Sequence, residues 1–125
     1  MTFLATYKSE GSVPGGLIAG NAGLLISQPI VLLIGENLTR GALLGKITAS
    51  GKYVLSESAA ADGSEVPAAI LVEDTDATDA DAPTVAYFRG DFIASGVILG
   101  AGHTVDSVRP ALRDQGIFLI DQIPV

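Results

Sequence analysis

Short apolar runs, each closed within a few residues by glycine or proline, constrain this chain more than any other feature of its sequence. A helical bundle needs a 3.6-residue apolar period carried unbroken over ten residues or more. Punctuation at this density favours short strands joined by turns instead. Ile30 to Ile34 is an aliphatic run ended by Gly35-Glu36-Asn37. Leu38 to Ile47 contains Gly41 and Gly45, which predicts bends or bulges within it. Ser50-Gly51 then separates this segment from Lys52 to Ser56, so the two are expected to pair as a hairpin.

Ala59 to Glu65, with Asp62-Gly63, reads as a loop. Val66 to Glu73 reads as a strand whose Pro67 belongs at an edge or a non-bonded position. From Thr84 to Arg89, Val85 and Tyr87 fall on one face and Thr84, Ala86 and Phe88 on the other. Both faces are largely apolar, so this strand is expected to be covered on both sides. Phe92 to Leu99 continues the β character as far as Gly100 and Gly102. Gly41-Ala42-Leu43-Leu44-Gly45 is faintly echoed by Gly96-Val97-Ile98-Leu99-Gly100, which suggests two equivalent turns in a barrel-like body.

One short helix is predicted, at about 107–115. Ser107 is its expected N-cap, which puts Pro110 in the first turn where a missing N–H matters little. Val108, Ala111 and Leu112 form the apolar stripe, and Gly116 is the expected C′ residue. Ile117 to Ile120 follows as a buried strand. The predicted fold class is therefore mostly β (α+β): a compact β-barrel-like body of short strands, one short helix and a flexible N-terminal arm.

At 125 residues the chain is long enough for one domain but not two. We draw an arm at residues 1–23 and a single β-rich body at 24–125. Thr6, Lys8, Ser9, Glu10, Gly11 and Ser12 show no period, and Pro14-Gly15-Gly16 breaks the chain. Phe3, Leu4, Tyr7, Val13, Leu17 and Ile18 are apolar residues that a plain tail does not need. An arm that orders on binding accounts for them; a flexible end with incidental apolar residues is the alternative.

Charge and composition exclude several functions. The formal net charge is -7 and no Lys/Arg cluster occurs, so the chain is expected not to bind nucleic acid. The longest apolar stretch, Leu24 to Ile34, is interrupted by Ser27, Gln28 and Pro29 and is too short to cross a bilayer; no membrane partner is expected. No secretory signal pattern is seen, and the absence of cysteine excludes disulfides and thiolate metal sites. Charged residues make up 17%, below the usual quarter or so. Either alanine and glycine inflate the hydropathy, or part of the surface is reserved for other subunits.

No constellation carries catalysis, and the chain is read as not an enzyme, with no cofactor and no metal. In the acidic segment Glu73, Asp74, Asp76, Asp79, Asp81, a calcium loop begun at Asp74 would put Asp79 at the glycine bend and Val85 at the bidentate position. Both are wrong, and a solvated acidic loop is expected. Gly45-Lys46 lacks the spacing of a phosphate loop from Gly41, and Ile47 stands where magnesium needs a hydroxyl. His103, the one histidine, lies in a Gly-rich turn with no nucleophile elbow to serve.

The order and spacing of several segments resemble the lambda-type head decoration family of bacteriophages. They are Arg40 to Thr48, Gly51-Lys52-Tyr53, Asp62-Gly63-Ser64, Ala69-Ile70-Leu71, Asp76 to Val85, Arg89-Gly90, and Ser107 to Ile117. The resemblance spans roughly residues 30 to 120. It implies a structural virion protein: a homotrimer, made in the host cytoplasm, that binds the outside of the expanded capsid and resists internal DNA pressure. It also implies an N-terminal arm, about Met1 to Gly16, that pairs with the major capsid protein through Phe3, Tyr7, Val13 and Pro14. The alternatives are another phage β-structured binding module, such as a tail, fibre or carbohydrate-binding accessory domain, and a small hydrolase or metal-dependent enzyme built on His103 or the acidic loop.

Overall fold

The longest strand, β8 (Ala82–Ile93), is shared between two sheets and sets the architecture. The computed structural model describes residues 16–20 and 22–121. The N-terminal part of β8 pairs antiparallel with β2 (Ile26–Leu32) on one edge and with β6 (Pro67–Leu71) on the other. β6 pairs with β4 (Leu43–Lys46), and β4 forms the predicted hairpin with β5 (Tyr53–Leu55). β5 meets β2 through one parallel pair, Leu32 with Tyr53. The circuit β8–β2–β5–β4–β6 thus returns to β8 as a small barrel.

Past Gly90, β8 leaves the barrel. A Cβ at Gly90, whose φ is +150°, would run into the Leu25 side chain, so glycine is what lets the strand turn out beneath Leu25. The rest of β8 pairs antiparallel with β1 (Ile18–Gly20) and parallel with β9 (Ile117–Ile120). A two-stranded ribbon, β3 (Asn37–Leu38) with β7 (Thr75–Asp76), stands apart.

Two cores follow from the alternation of side chains along strands. On β4, Leu43 points to one and Leu44 to the other; on β6, Ile70 is divided from Ala69 and Leu71; on β8, Tyr87 is divided from Ala86. The barrel lumen holds Ile30, Leu32, Leu44, Tyr53 and Leu71 together with Ala42, Ala69, Ala77 and Ala86. A barrel this narrow has room for few large side chains, so the alanines that raise the hydropathy are in part lumen filling. The second core lies outside the barrel wall, under the helix, and centres on Phe92, Leu43, Ile70, Val108 and Leu112.

The helix α1 spans Val105–Asp114, starting two residues before the predicted limit. Its N-cap is Thr104 and not Ser107. Thr104 Oγ1 accepts from Ser107 N at 3.1 Å, and Ser107 Oγ accepts from Thr104 N at 2.9 Å, which closes a reciprocal capping box. Pro110 consequently sits inside the helix, where it removes the N–H that would reach the Asp106 carbonyl. Val108 and Leu112 are buried as the stripe predicts.

Three further expectations shift. The Ile30 to Ile34 strand begins earlier, at Ile26, and Pro29 lies within it. The β character after Phe92 gives way to a 3-10 turn at Ala94–Gly96. The echoing segments are neighbours: Ala42 and Ile98 form a parallel bridge, with Leu43 N donating to Ile98 O and Ile98 N to Gly41 O, both at 2.9 Å. The expected arm, 1–23, is described only from residue 16. There Leu17 is buried in the outer core, and its carbonyl accepts from Ile93 N at 2.6 Å.

Candidate interaction surfaces

Three of the five acidic side chains that could suggest a metal loop, Asp74, Asp76 and Asp81, are turned onto the protein's own chain. Asp74 Oδ1 accepts from Arg40 N at 2.8 Å, and Asp76 Oδ1 from Thr78 N at 2.9 Å. Asp81 accepts from Lys52 Nζ at 2.6 Å and from Ile34 N at 2.7 Å. The Thr78 hydroxyl holds the Asp76 carboxyl below the usual carboxylate range, and the Lys52 ammonium does the same for Asp81. Hydrogen bonds from Ser64, the side chain first, lower Asp62 likewise. Among the described residues, no group of three or more His, Asp or Glu side chains could hold a metal ion. These are turn-forming carboxylates.

His103 does meet a serine, in an arrangement unlike a nucleophile and its base. Ser56 is fully buried, and its hydroxyl donates to Ser64 O at 2.7 Å. With that one proton committed, the 3.1 Å contact between Ser56 Oγ and His103 Nε2 must have the imidazole as donor. The group therefore fastens the 56–64 loop to the 100–103 turn. The same loop presses on β4, where a Cβ at Gly45 would run into the Ser64 carbonyl.

A cleft of about 540 Å³ lies between the 35–38 turn, β5 and the 57–64 loop, with Glu36, Glu57 and Asp62 on its walls. Glu36 Oε1 is already taken by Leu55 N at 3.0 Å, and Asp62 by Ser64 N at 3.0 Å. The cleft is open and polar, and Glu36 and Asp62 serve the backbone around it.

Apolar exposure is concentrated elsewhere. Leu24, Ile26, Val31 and Ile34 are exposed along or beside β2, and Phe118 and Ile120 on the outer face of β9. β2 bonds to β8 along its whole length, while its opposite edge meets β5 only at Leu32. The open edge carries Pro29, which offers no N–H to an incoming strand. β9 was expected to be buried; its Ile117 and Leu119 are, but Phe118 and Ile120 face outward because nothing in the described chain covers that side. Its rim is Arg109, which reaches the Leu119 carbonyl at 3.2 Å, and Arg113.

The capsid-contacting residues expected from the sequence, Phe3, Tyr7, Val13 and Pro14, lie outside the described residues, as does the arm they belong to. The place where that segment joins the body is described. It enters directly into β1, an edge strand beside β8. No described helix is long and apolar enough to cross a membrane.

A small barrel whose described surface carries two uncovered apolar strands is a β-structured module with apolar surface left open. Comparison with known families agrees: the model of the bacteriophage lambda head decoration protein D family matches residues 7–117. The chain belongs to that family, whose members are structural proteins of the phage head. No curated protein matches the chain.

Proposed function

We propose that this protein is a homotrimeric decoration subunit that binds the outer surface of the expanded phage head and stabilises it against the pressure of packaged DNA. The family match over residues 7–117 carries this reading. It has no catalytic role and takes no cofactor in this account; its partners are its own copies and the major capsid protein.

Packaged DNA repels itself and pulls the lattice subunits apart, so a trimer anchored to several of them opposes their separation. The N-terminal arm supplies the anchor. Composition draws it at residues 1–23, and the burial of Leu17 supports the shorter limit near Gly16. Leading out of edge strand β1, such an arm can add to a strand of the shell, with Phe3, Tyr7, Val13 and Pro14 in side pockets. Each backbone hydrogen bond contributes about 0.5–1.5 kcal/mol net, against about 1–2 kcal/mol per residue to order the arm. One arm therefore binds weakly, and three on one trimer gain by effective concentration. The -7 charge suits an exterior position, away from the genome.

Co-sedimentation with empty expanded heads of the cognate phage tests this. The full chain is expected to pellet with the heads and saturate. A variant lacking residues 1–15 is expected to stay in solution with its barrel intact, since Leu17 and β1 remain. Full-length protein that ignores expanded heads would contradict the proposal.

A further inference from the structure

No charged residue stands between Glu10 and Glu36, although this stretch includes the exposed positions Leu24, Ile26, Val31 and Ile34 and the open edge of β2. Surface edge strands are ordinarily guarded by charge, above all by lysine, because an uncharged edge invites pairing with another chain. Here charge is missing and Pro29 alone blunts the edge, in a chain whose net charge of -7 makes identical copies repel one another. Two such copies can approach only where acids are absent or are met by cations.

The molecule offers both halves of that match. Two residues past β2 lies Ile34, whose N–H is held by Asp81, and the loop 77–81 is bound to the same turn, Gly35 N donating to Ala77 O and Ala77 N to Glu36 O, both at 2.7 Å. Asp79, exposed in that loop, makes no ion pair among the described residues. Asp81 is paired with Lys52, so Asp79 is, among the described residues, the free carboxylate beside this apolar end. On β9, Phe118 and Ile120 are 41% and 45% exposed and are bordered by Arg109 and Arg113. Arg113 is also exposed and unpaired among the described residues, while Arg109 is engaged by Asp106 and Asp121. With the Arg109 charge met by two carboxylates, Arg113 is, among the described residues, the free cation beside this second apolar patch.

We infer that the patch around Ile34 and Asp79 of one copy docks on the Phe118, Ile120 and Arg113 patch of the next. The contact is head to tail, using two different surfaces of each copy, and such a contact closes into a ring when the rotation allows it. The inference rests on the trimer reading above and locates its interface. Opposite charge bordering two apolar patches sets the register and disfavours the self-facing arrangement, in which Asp79 would meet Asp79.

Charge reversal tests the pairing, because Asp79 and Arg113 are exposed and outside both cores. Self-association of the full chain would be measured by sedimentation equilibrium for wild type, Asp79→Lys, Arg113→Glu and the double variant, with circular dichroism confirming the fold of each. Each single reversal is expected to weaken association about 10-fold or more, and the double variant to recover most of that loss. Wild-type protein that stays monomeric at every concentration would overturn this contact as one that free copies make, and the trimer on the head is tested separately by co-sedimentation. Association that persists in both single variants, or that the double variant does not recover, would overturn this interface and leave the trimer in place. Single variants that associate normally but no longer pellet with heads would assign the patches to the shell, and also overturn the inference.

Discussion

Asp62, Asp76 and Asp81 show how single residues fix the loops of this barrel. Each carboxyl is held below the usual range, by Ser64, Thr78 and Lys52 respectively. A depressed folded-state value means that the unfolded chain binds protons more readily, so acid favours unfolding. The stability these groups contribute is complete above their unfolded value, about pH 4, and is lost as pH falls below it through the folded value. The melting temperature should therefore be level near neutral pH and decline below about pH 4. Asp81→Asn should flatten part of that decline, which a thermal melt at each pH would register. Gly45 is constrained by packing: Gly45→Ala drives a Cβ into the Ser64 carbonyl and should destabilise by about 1–3 kcal/mol in urea unfolding. The turns of the acidic segment were legible in the sequence because Asp favours turns, but the strand Thr75–Asp76 within it was not. The Ser56–His103 contact was not, since it joins residues 47 apart through loop packing alone.

At the scale of elements, α1 shows where local rules conflict. Pro110 argues for a helix start close before it, which makes Ser107 look like the cap. The reciprocal bonds between Thr104 and Ser107 start the helix earlier, and burial of Val108 and Leu112 holds it there despite the proline. Thr104→Ala should lose about 0.5–2 kcal/mol, and Leu112→Ala, at a fully buried position, about 2–5 kcal/mol. Chemical denaturation of the two variants would check the order. The strands were largely legible from turn residues, the hairpin of β4 and β5 above all. β9 was misjudged because four successive large apolar residues read as buried on both faces. The alternation of burial within it depends on what covers the sheet, and one chain does not encode its neighbour.

For the whole molecule, closure of the barrel hinges on contacts that no local pattern announces. The parallel pair of Leu32 with Tyr53 completes the circuit, and the parallel docking of β9 on β8 builds the outer sheet. A β-rich body and its family were readable from segment order; the division into a lumen and an outer core was not, because it depends on which strands meet. The central claim is that this molecule holds a pressurised shell together from outside. Withdrawing divalent cations from DNA-filled expanded heads raises the repulsion within the genome. The fraction of heads that survive, counted with and without added protein, measures the claim directly. The full chain should keep most heads intact, and the chain from residue 16 onward should not. Equal bursting with and without the full chain would contradict the account.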